Sequence, residues 1–234
     1  MLWNGGARVL RDVNLTIEPG QLWVFVGPER RGKTMLAEVL VGAAAPALGK
    51  IDINPTFSSR ERIGFVPRTC AIPVAVPTTV RELVSLGTAG IPRQALDEGA
   101  RIAGAMDRAG LPPALARANV HALSAEQKRR VLIARALVRH PGFLVADEPT
   151  FGLDPAAKDR ILGLLAGLNR DERLTIVIAT HDLDVAERWA THVALFTGGS
   201  VKAGRRALVL TQRDVVDAYA PEPAPGAGGA PTAE

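Results

Sequence analysis

The chain has 234 residues and a mass of 24.7 kDa, with 47% hydrophobic and 22% charged side chains. A chain of that length buries roughly 70% of its unfolded surface without covalent staples, and this composition excludes a fibrous or wholly disordered protein. The 28 basic and 24 acidic side chains leave a net charge of +4, spread along the chain, and aromatic residues make up 4%, so no nucleic-acid partner is expected. The single cysteine, Cys70, excludes an intramolecular disulfide and fits a cytosolic compartment. No stretch approaches the roughly 18 unbroken apolar residues of a membrane span. Met1-Leu2-Trp3-Asn4 is too short and polar to open a signal peptide, so a soluble chain that meets a membrane only through a partner is expected.

In chain order, Val9, Leu10, Val13, Leu15 and Ile17 alternate as in a strand, and Pro19-Gly20 turns the chain. Leu22-Trp23-Val24-Phe25-Val26 is a continuous apolar run, the signature of a parallel strand buried on both faces. A helix is predicted over 34–41, with short strands at 51–53 and 63–66. From 78 to 139 the pattern is mostly helical. Thr78 is placed to cap a helix over 80–86, and Pro92 to open one that ends at Gly110. Leu111-Pro112-Pro113 breaks the chain, and Ser124 with Gln127 forms a capping-box pattern for a helix to about 139. Strand and helix then alternate: strand 143–146, helix 155–168, strand 174–179, helix 183–191, and a hairpin of 193–196 with 201–203. The tail from Pro221, rich in Pro, Ala and Gly, is predicted to be disordered.

Gly27-Pro28-Glu29-Arg30-Arg31-Gly32-Lys33-Thr34 matches G-x-x-x-x-G-K-[ST] between a strand and a helix. Glycines let such a backbone curl with its N–H groups inward around phosphate, and the following helix turns its positive end to the same point. Lys33 is then placed at the β/γ-phosphates, and the Thr34 hydroxyl at Mg²⁺. Further on, the apolar strand Phe143-Leu144-Val145-Ala146 ends in Asp147-Glu148. Ligands of parallel sheets sit at the carboxyl ends of strands, which places Asp147 to hold Mg²⁺ through water and Glu148 to take a proton from an attacking water.

Over nearly the whole chain to about residue 205, this order of motifs resembles the nucleotide-binding subunits of ABC transporters. Leu123-Ser124-Ala125-Glu126-Gln127 is similar to the signature LSGGQ. Leu153-Asp154 is similar to the D-loop, His181 to the switch histidine, and Trp3 to the aromatic residue that stacks on adenine. The resemblance implies an α/β fold: a P-loop NTPase core with a mixed, largely parallel sheet and an inserted, mostly helical subdomain. It implies one ATP-binding domain over 1–220, with the core at about 1–70 and 140–210 and the helical part at about 71–139. It also implies two copies facing head to tail. ATP at the phosphate loop of one copy is then closed over by Ser124 and Gln127 of the other, with Asp154 crossing between them and His181 on the γ-phosphate. A membrane-spanning permease is the implied partner, and the inner face of the cell membrane the implied location.

Residues 63–67 and 76–87 are closest in texture to ATPases of zinc, manganese and iron-chelate importers. Cys70 and His121 are not expected to form a metal site. The chain departs from the family at three places. Glu29 and Arg30 stand where the phosphate loop usually has Asn and Gly. Ala125-Glu126 replaces Gly-Gly in the signature. Arg68 falls where a glutamine is usual. Arginine has five donors and no acceptor, so Arg68 cannot ligate Mg²⁺. It is expected to pair with Glu29 or Glu126, the alternative being contact with the γ-phosphate. The expected function is an ATP-binding and ATP-hydrolysing importer subunit. A regulatory cassette with little turnover and a soluble non-transport ATPase of the same family stand as alternatives.

Overall fold

The computed structural model describes residues 2–4, 7–54, 62–70, 72–73, 75–90, 97–197 and 199–220, with backbone alone at 2–4 and 7–9. A hairpin of β1 (Leu2–Asn4) and β2 (Ala7–Leu10) opens the chain. The other strands are β3 (Leu22–Val26), β4 (Ile63–Val66), β5 (Phe143–Asp147), β6 (Thr175–Thr180), β7 (His192–Phe196) and β8 (Val201–Arg205). They form one sheet in the order β4-β5-β6-β3-β7-β8. Every neighbouring pair in it is parallel except the β7–β8 hairpin. β3, β5 and β6 are buried along their whole length, as their unbroken apolar runs require.

Side chains alternate between the two faces. Leu22, Val24 and Val26 join Leu144, Ala146, Ile176 and Ile178 in one core, shared with α4 (Ala125–Leu137) and α5 (Pro155–Glu172). Trp23 and Phe25 join Phe143, Val145, Val177 and Phe196 in the other, against α1 (Lys33–Leu40). Between β4 and β5 the chain makes α2 (Val80–Ser85), α3 (Glu98–Arg108) and α4, whose apolar faces pack together through Val80, Leu83, Val84, Ile102, Met106 and Val131. α6 (Leu183–Trp189), α7 (Arg206–Val209) and α8 (Gln212–Tyr219) complete the described residues.

Several expectations shift. Residues 13–17 and 51–53 are not strands. Val13, Leu15, Ile17, Ile51 and Ile53 lean on the α1-side core as covering segments, so their alternation reports one-sided burial without a partner strand. Thr79, not Thr78, caps α2: its hydroxyl accepts from Glu82 N at 3.2 Å and Glu82 Oε2 accepts from Thr79 N at 2.7 Å. Glu82 three places on fixes that register. Asp97 caps α3 by accepting from Ala100 N at 3.1 Å, and Pro92 lies outside the described residues. α4 stops at Leu137, α5 runs on to Glu172, and α7 and α8 were not anticipated. The tail 221–234 lies outside the described residues. The Ser124–Gln127 capping box is present, with Gln127 N donating to Ser124 Oγ at 3.2 Å and Ser124 N to Gln127 Oε1 at 3.0 Å.

Gly87, just after α2, is where this helical segment meets α4. A Cβ there would collide with the Arg135 carbonyl and sit 2.6 Å from Val138 Cγ1. Both obstacles belong to a packed helix, so the strain has no easy outlet. Gly87→Ala is expected to destabilise the fold by about 1–3 kcal/mol, the usual cost of overpacking. In a chain of this size that lowers the melting temperature by about 2–4 °C per kcal/mol. An unchanged thermal melt would mean that α2 does not dock on α4 this closely.

Candidate functional site

β3 delivers the chain to Gly27, whose φ of +149° and whose closeness to the Phe196 carbonyl leave no room for a Cβ. The loop then turns back through Arg30 (φ +61°) and Gly32 (φ +91°) into α1. A non-glycine residue in the left-handed region costs roughly 1–2 kcal/mol, so Arg30 stores strain where the family pattern has glycine. Lys33 is 7% exposed, and its Nζ donates to Gly27 O at 2.7 Å and Pro28 O at 2.6 Å. These bonds brace the loop from inside and leave one of three ammonium donors for a ligand. Burial holds the Lys33 pKa below its ordinary value, opposed by the charges of Glu148, Glu29 and Asp147.

β5 ends beside this loop. Thr34 Oγ1 donates to Asp147 Oδ1 at 3.0 Å and Oδ2 at 3.2 Å, joining helix α1 to strand β5. A hydroxyl and a carboxylate are hard oxygen donors, the chemistry a small divalent cation with phosphate co-ligands takes. The Asp147 pKa is raised, first by burial; the Thr34 hydrogen bond opposes this, Glu148 adds to it and Arg68 opposes it.

Glu148 follows with φ +44° and donates its N–H to Ala179 O at 2.8 Å, crossing to the end of β6. There its carboxylate is held on both oxygens. Oε1 accepts from His181 N at 3.0 Å and lies 2.8 Å from His181 Nδ1, while Oε2 accepts from Thr180 Oγ1 at 3.1 Å. Tyr219 Oη, from the end of α8, donates to His181 O at 3.1 Å.

β4 supplies the third wall. Arg129 of α4, 7% exposed, donates through Nη1 to Pro67 O at 3.0 Å and through Nη2 to Arg68 O at 3.0 Å and Phe151 O at 3.4 Å. Burial lowers its pKa, and the charges of Asp147 and Glu148 oppose that shift. The Arg68 guanidinium lies 4.0 Å above the centre of the Phe151 ring. Glu29, Lys33, Thr34, Arg68 and Glu148 line a single open cleft of about 800 Å³.

The fold thus gathers the phosphate loop, Asp147 and Glu148 at one place, with His181 tied to Glu148. It does not bring Ser124, Gln127 or Asp154 to the cleft lining. Ser124 and Gln127 cap α4, and Asp154 caps α5 by accepting from Ala157 N at 2.9 Å. Trp3 pairs with Arg8 in the β1–β2 hairpin; its side chain lies outside the described residues. The expected pairing of Arg68 is corrected. Glu126 is instead shared by Arg130, 3.0 Å from Oε1, and Arg160, 2.8 Å from Oε2, because α4 and α5 bring both guanidinium groups to it. Arg68 makes no ion pair with Glu29 either. Among the described residues no three His, Cys, Asp or Glu side chains gather as a metal site. Sequence reasoning missed Thr180, Arg129 and Tyr219. Thr180 could have been found as the polar residue between an apolar strand and His181. Arg129, one of three adjacent cations, and Tyr219 carry no local signal for their roles.

A braced, lysine-bearing loop at the end of a central parallel strand, with a carboxylate from the next strand but one on its threonine, defines the P-loop nucleotide-binding class. The sequence profile of the ABC transporter family matches residues 10–151, and the chain belongs to that family. It is 33% identical over 207 residues to the zinc import ATP-binding protein ZnuC of Jannaschia sp. (strain CCS1), covering 88% of this chain and 80% of the relative. Its fold is similar to that of an ABC transporter of proposed metal-chelate type solved in an inward-facing conformation, with a TM-score of 0.81, 27% identity, and coverage of 90% and 82%. It is also similar to the dimeric ATP-binding cassette MJ0796 in a post-hydrolysis state bound to ADP and phosphate. There the TM-score is 0.68, with 28% identity and coverage of 85% and 90%. No described helix is long and apolar enough to cross a membrane.

The raised Asp147 pKa fixes the sign of a stability test. The folded apo protein disfavours the ionised carboxylate, so folding loses free energy as pH rises through the raised value. Asp147→Asn removes that penalty while keeping an acceptor for Thr34. It is expected to raise the apo melting temperature by a few degrees at pH 7, where about 2–4 °C corresponds to 1 kcal/mol. The gain is expected to vanish below about pH 4, where the carboxyl is protonated in both states. Thermal scans across pH without nucleotide or divalent cation check this; a variant less stable than wild type at pH 7 would contradict it.

Proposed function

We propose that the chain is the ATP-binding and ATP-hydrolysing subunit of an ABC importer for metal cations or metal chelates. The observation that carries this reading is Glu148, a carboxylate fixed at both oxygens yet lining the same cleft as Lys33 and Thr34. The phosphate loop, residues 27–34, wraps the β- and γ-phosphates with its N–H groups, and the remaining Lys33 donor meets them. Thr34 and Asp147 would hold Mg²⁺, which would neutralise phosphate charge. Glu148 takes a proton from the water whose oxygen attacks the γ-phosphorus. The bond from that phosphorus to the ADP oxygen breaks, with its electrons leaving on ADP. His181 contacts the γ-phosphate and helps hold the water.

The site is completed by a second copy, head to tail, whose Ser124, Gln127 and Asp154 face the nucleotide. In the monomer these residues cap helices and stay clear of the cleft lining, which fits a role across an interface. Trp3 stacks on adenine. Residues 1–220 act as one ATP-binding domain, with the helical segment at about 71–139 set between core segments 1–70 and 140–210. The partner is a membrane-spanning permease, and the subunit works on the inner face of the cell membrane. The zinc-import and metal-chelate names of its relatives support the cargo class.

Glu148→Gln is expected to retain ATP binding and slow hydrolysis by about 10²-fold or more, the scale of a lost general base. The ATP-bound variant is expected to elute as a dimer in gel filtration. Equal turnover in variant and wild type would remove Glu148 from the reaction. Lys33→Ala is expected to weaken ATP and ADP alike by about tenfold or more, since the loop loses both its brace and its ammonium. A nucleotide titration that shows unchanged affinity would overturn the phosphate-loop assignment.

A further inference from the structure

Arg68 stands two residues past β4, in the wall of the nucleotide cleft that also contains Lys33, Thr34 and Glu148. Glu126, one family departure that could answer its charge, is occupied by Arg130 and Arg160, and Glu29, the other, makes no ion pair with it. Among the described residues the Arg68 guanidinium forms no ion pair, and it rests on the Phe151 ring at 4.0 Å.

The side chain is nevertheless held from two sides. One buried guanidinium, that of Arg129, binds the carbonyls of Pro67 and Arg68 before the side chain and the carbonyl of Phe151 beneath it. The backbone of Arg68 and its stacking platform are thereby fixed to each other. A guanidinium resting on a ring still carries its planar fork of N–H donors, the geometry that matches phosphate oxygens. Arg68 also lies close enough to the reacting end for its charge to act on Asp147. Asp147 is bonded to Thr34, and Glu148 lines the same cleft.

We propose that Arg68 is a catalytic residue: its guanidinium donates to the terminal phosphate of ATP held by its own chain, stabilising charge there as the bond to ADP breaks. The proposal rests on the phosphate-loop reading above. It adds a specificity consequence, because a group that touches only the terminal phosphate separates triphosphate from diphosphate. A donor aimed at developing charge in a closed site contributes about 10²–10³-fold in rate.

The test uses the full chain with Mg²⁺, titrated with ATP and with ADP and assayed for turnover. Arg68→Met leaves a shorter, unbranched apolar side chain beside Phe151, without charge or donors. It is expected to weaken ATP at least about tenfold, leave ADP within about twofold, and lower kcat by about 10²-fold or more. Arg68→Lys keeps the charge without the planar fork, and is expected to retain the preference for ATP while recovering only part of kcat. Equal loss of ATP and ADP affinity would show a structural role and overturn the proposal. So would an unchanged ATP-to-ADP ratio with unchanged kcat in both variants. If the Met variant fails to fold, the Lys variant decides alone: wild-type kcat in it would overturn a role for the fork. Failure of the underlying reading looks different, since wild type would then bind neither nucleotide and Lys33→Ala would change nothing.

Discussion

The site depends on the parallel register of β3, β5 and β6. Asp147 sits opposite Ala179, and Val26 opposite Thr180, so three chain segments far apart in sequence end side by side. Parallel pairing aligns the carboxyl ends of strands, and each strand hands the chain to a loop at the same edge of the sheet. The loop after β3 carries Lys33, the loop after β5 carries Glu148, and the loop after β6 carries His181. The hydrogen bond from Glu148 N to Ala179 O, at 2.8 Å, extends the β5–β6 ladder one step past the strand and aims the carboxylate at Thr180 and His181. A slip of one residue would turn every apolar side chain of β5 to the wrong face, so the same burial that stabilises the sheet also fixes the chemistry.

That edge concentrates buried charge. Lys33, Arg129, Asp147 and Glu148 are all at most 7% exposed. Ions this deep carry a desolvation cost that only partners with good geometry offset. The carbonyls of Gly27 and Pro28 answer Lys33, and those of Pro67, Arg68 and Phe151 answer Arg129. Asp147 has Thr34, and Glu148 has Thr180 and His181. The raised Asp147 pKa and the lowered Lys33 pKa both point to an incomplete balance in the apo protein, with burial as the first cause in each.

The departures from the family pattern have separate fates rather than a shared one. Glu126 is absorbed into an ion-pair network with Arg130 and Arg160 that ties α4 to α5, away from the cleft lining. Arg30 accepts a left-handed backbone at a cost that glycine would not incur. Glu29 and Arg68 remain in the lining of the cleft.

By itself the sequence determined what local spacing controls. The phosphate loop and the Ser124–Gln127 capping box are set by residues within a few positions of one another, so the bonds that brace them close within single segments, and the strand ending in Asp147-Glu148 is marked by its own apolar run. The apolar runs fixed which strands are central, because only a strand covered on both faces is apolar throughout. Tertiary structure decided whatever joins distant segments. Glu126 meets Arg160 across 34 positions, Arg129 reaches the Pro67 carbonyl across 62, and Tyr219 reaches the His181 carbonyl across 38. Arg129 is flanked by two other cations in sequence, and no local pattern separates the buried member of that trio from its neighbours. Its burial follows from where α4 crosses the end of β4, and so does the position of Arg68, because a side chain's charge is legible in sequence while its partner is chosen by packing.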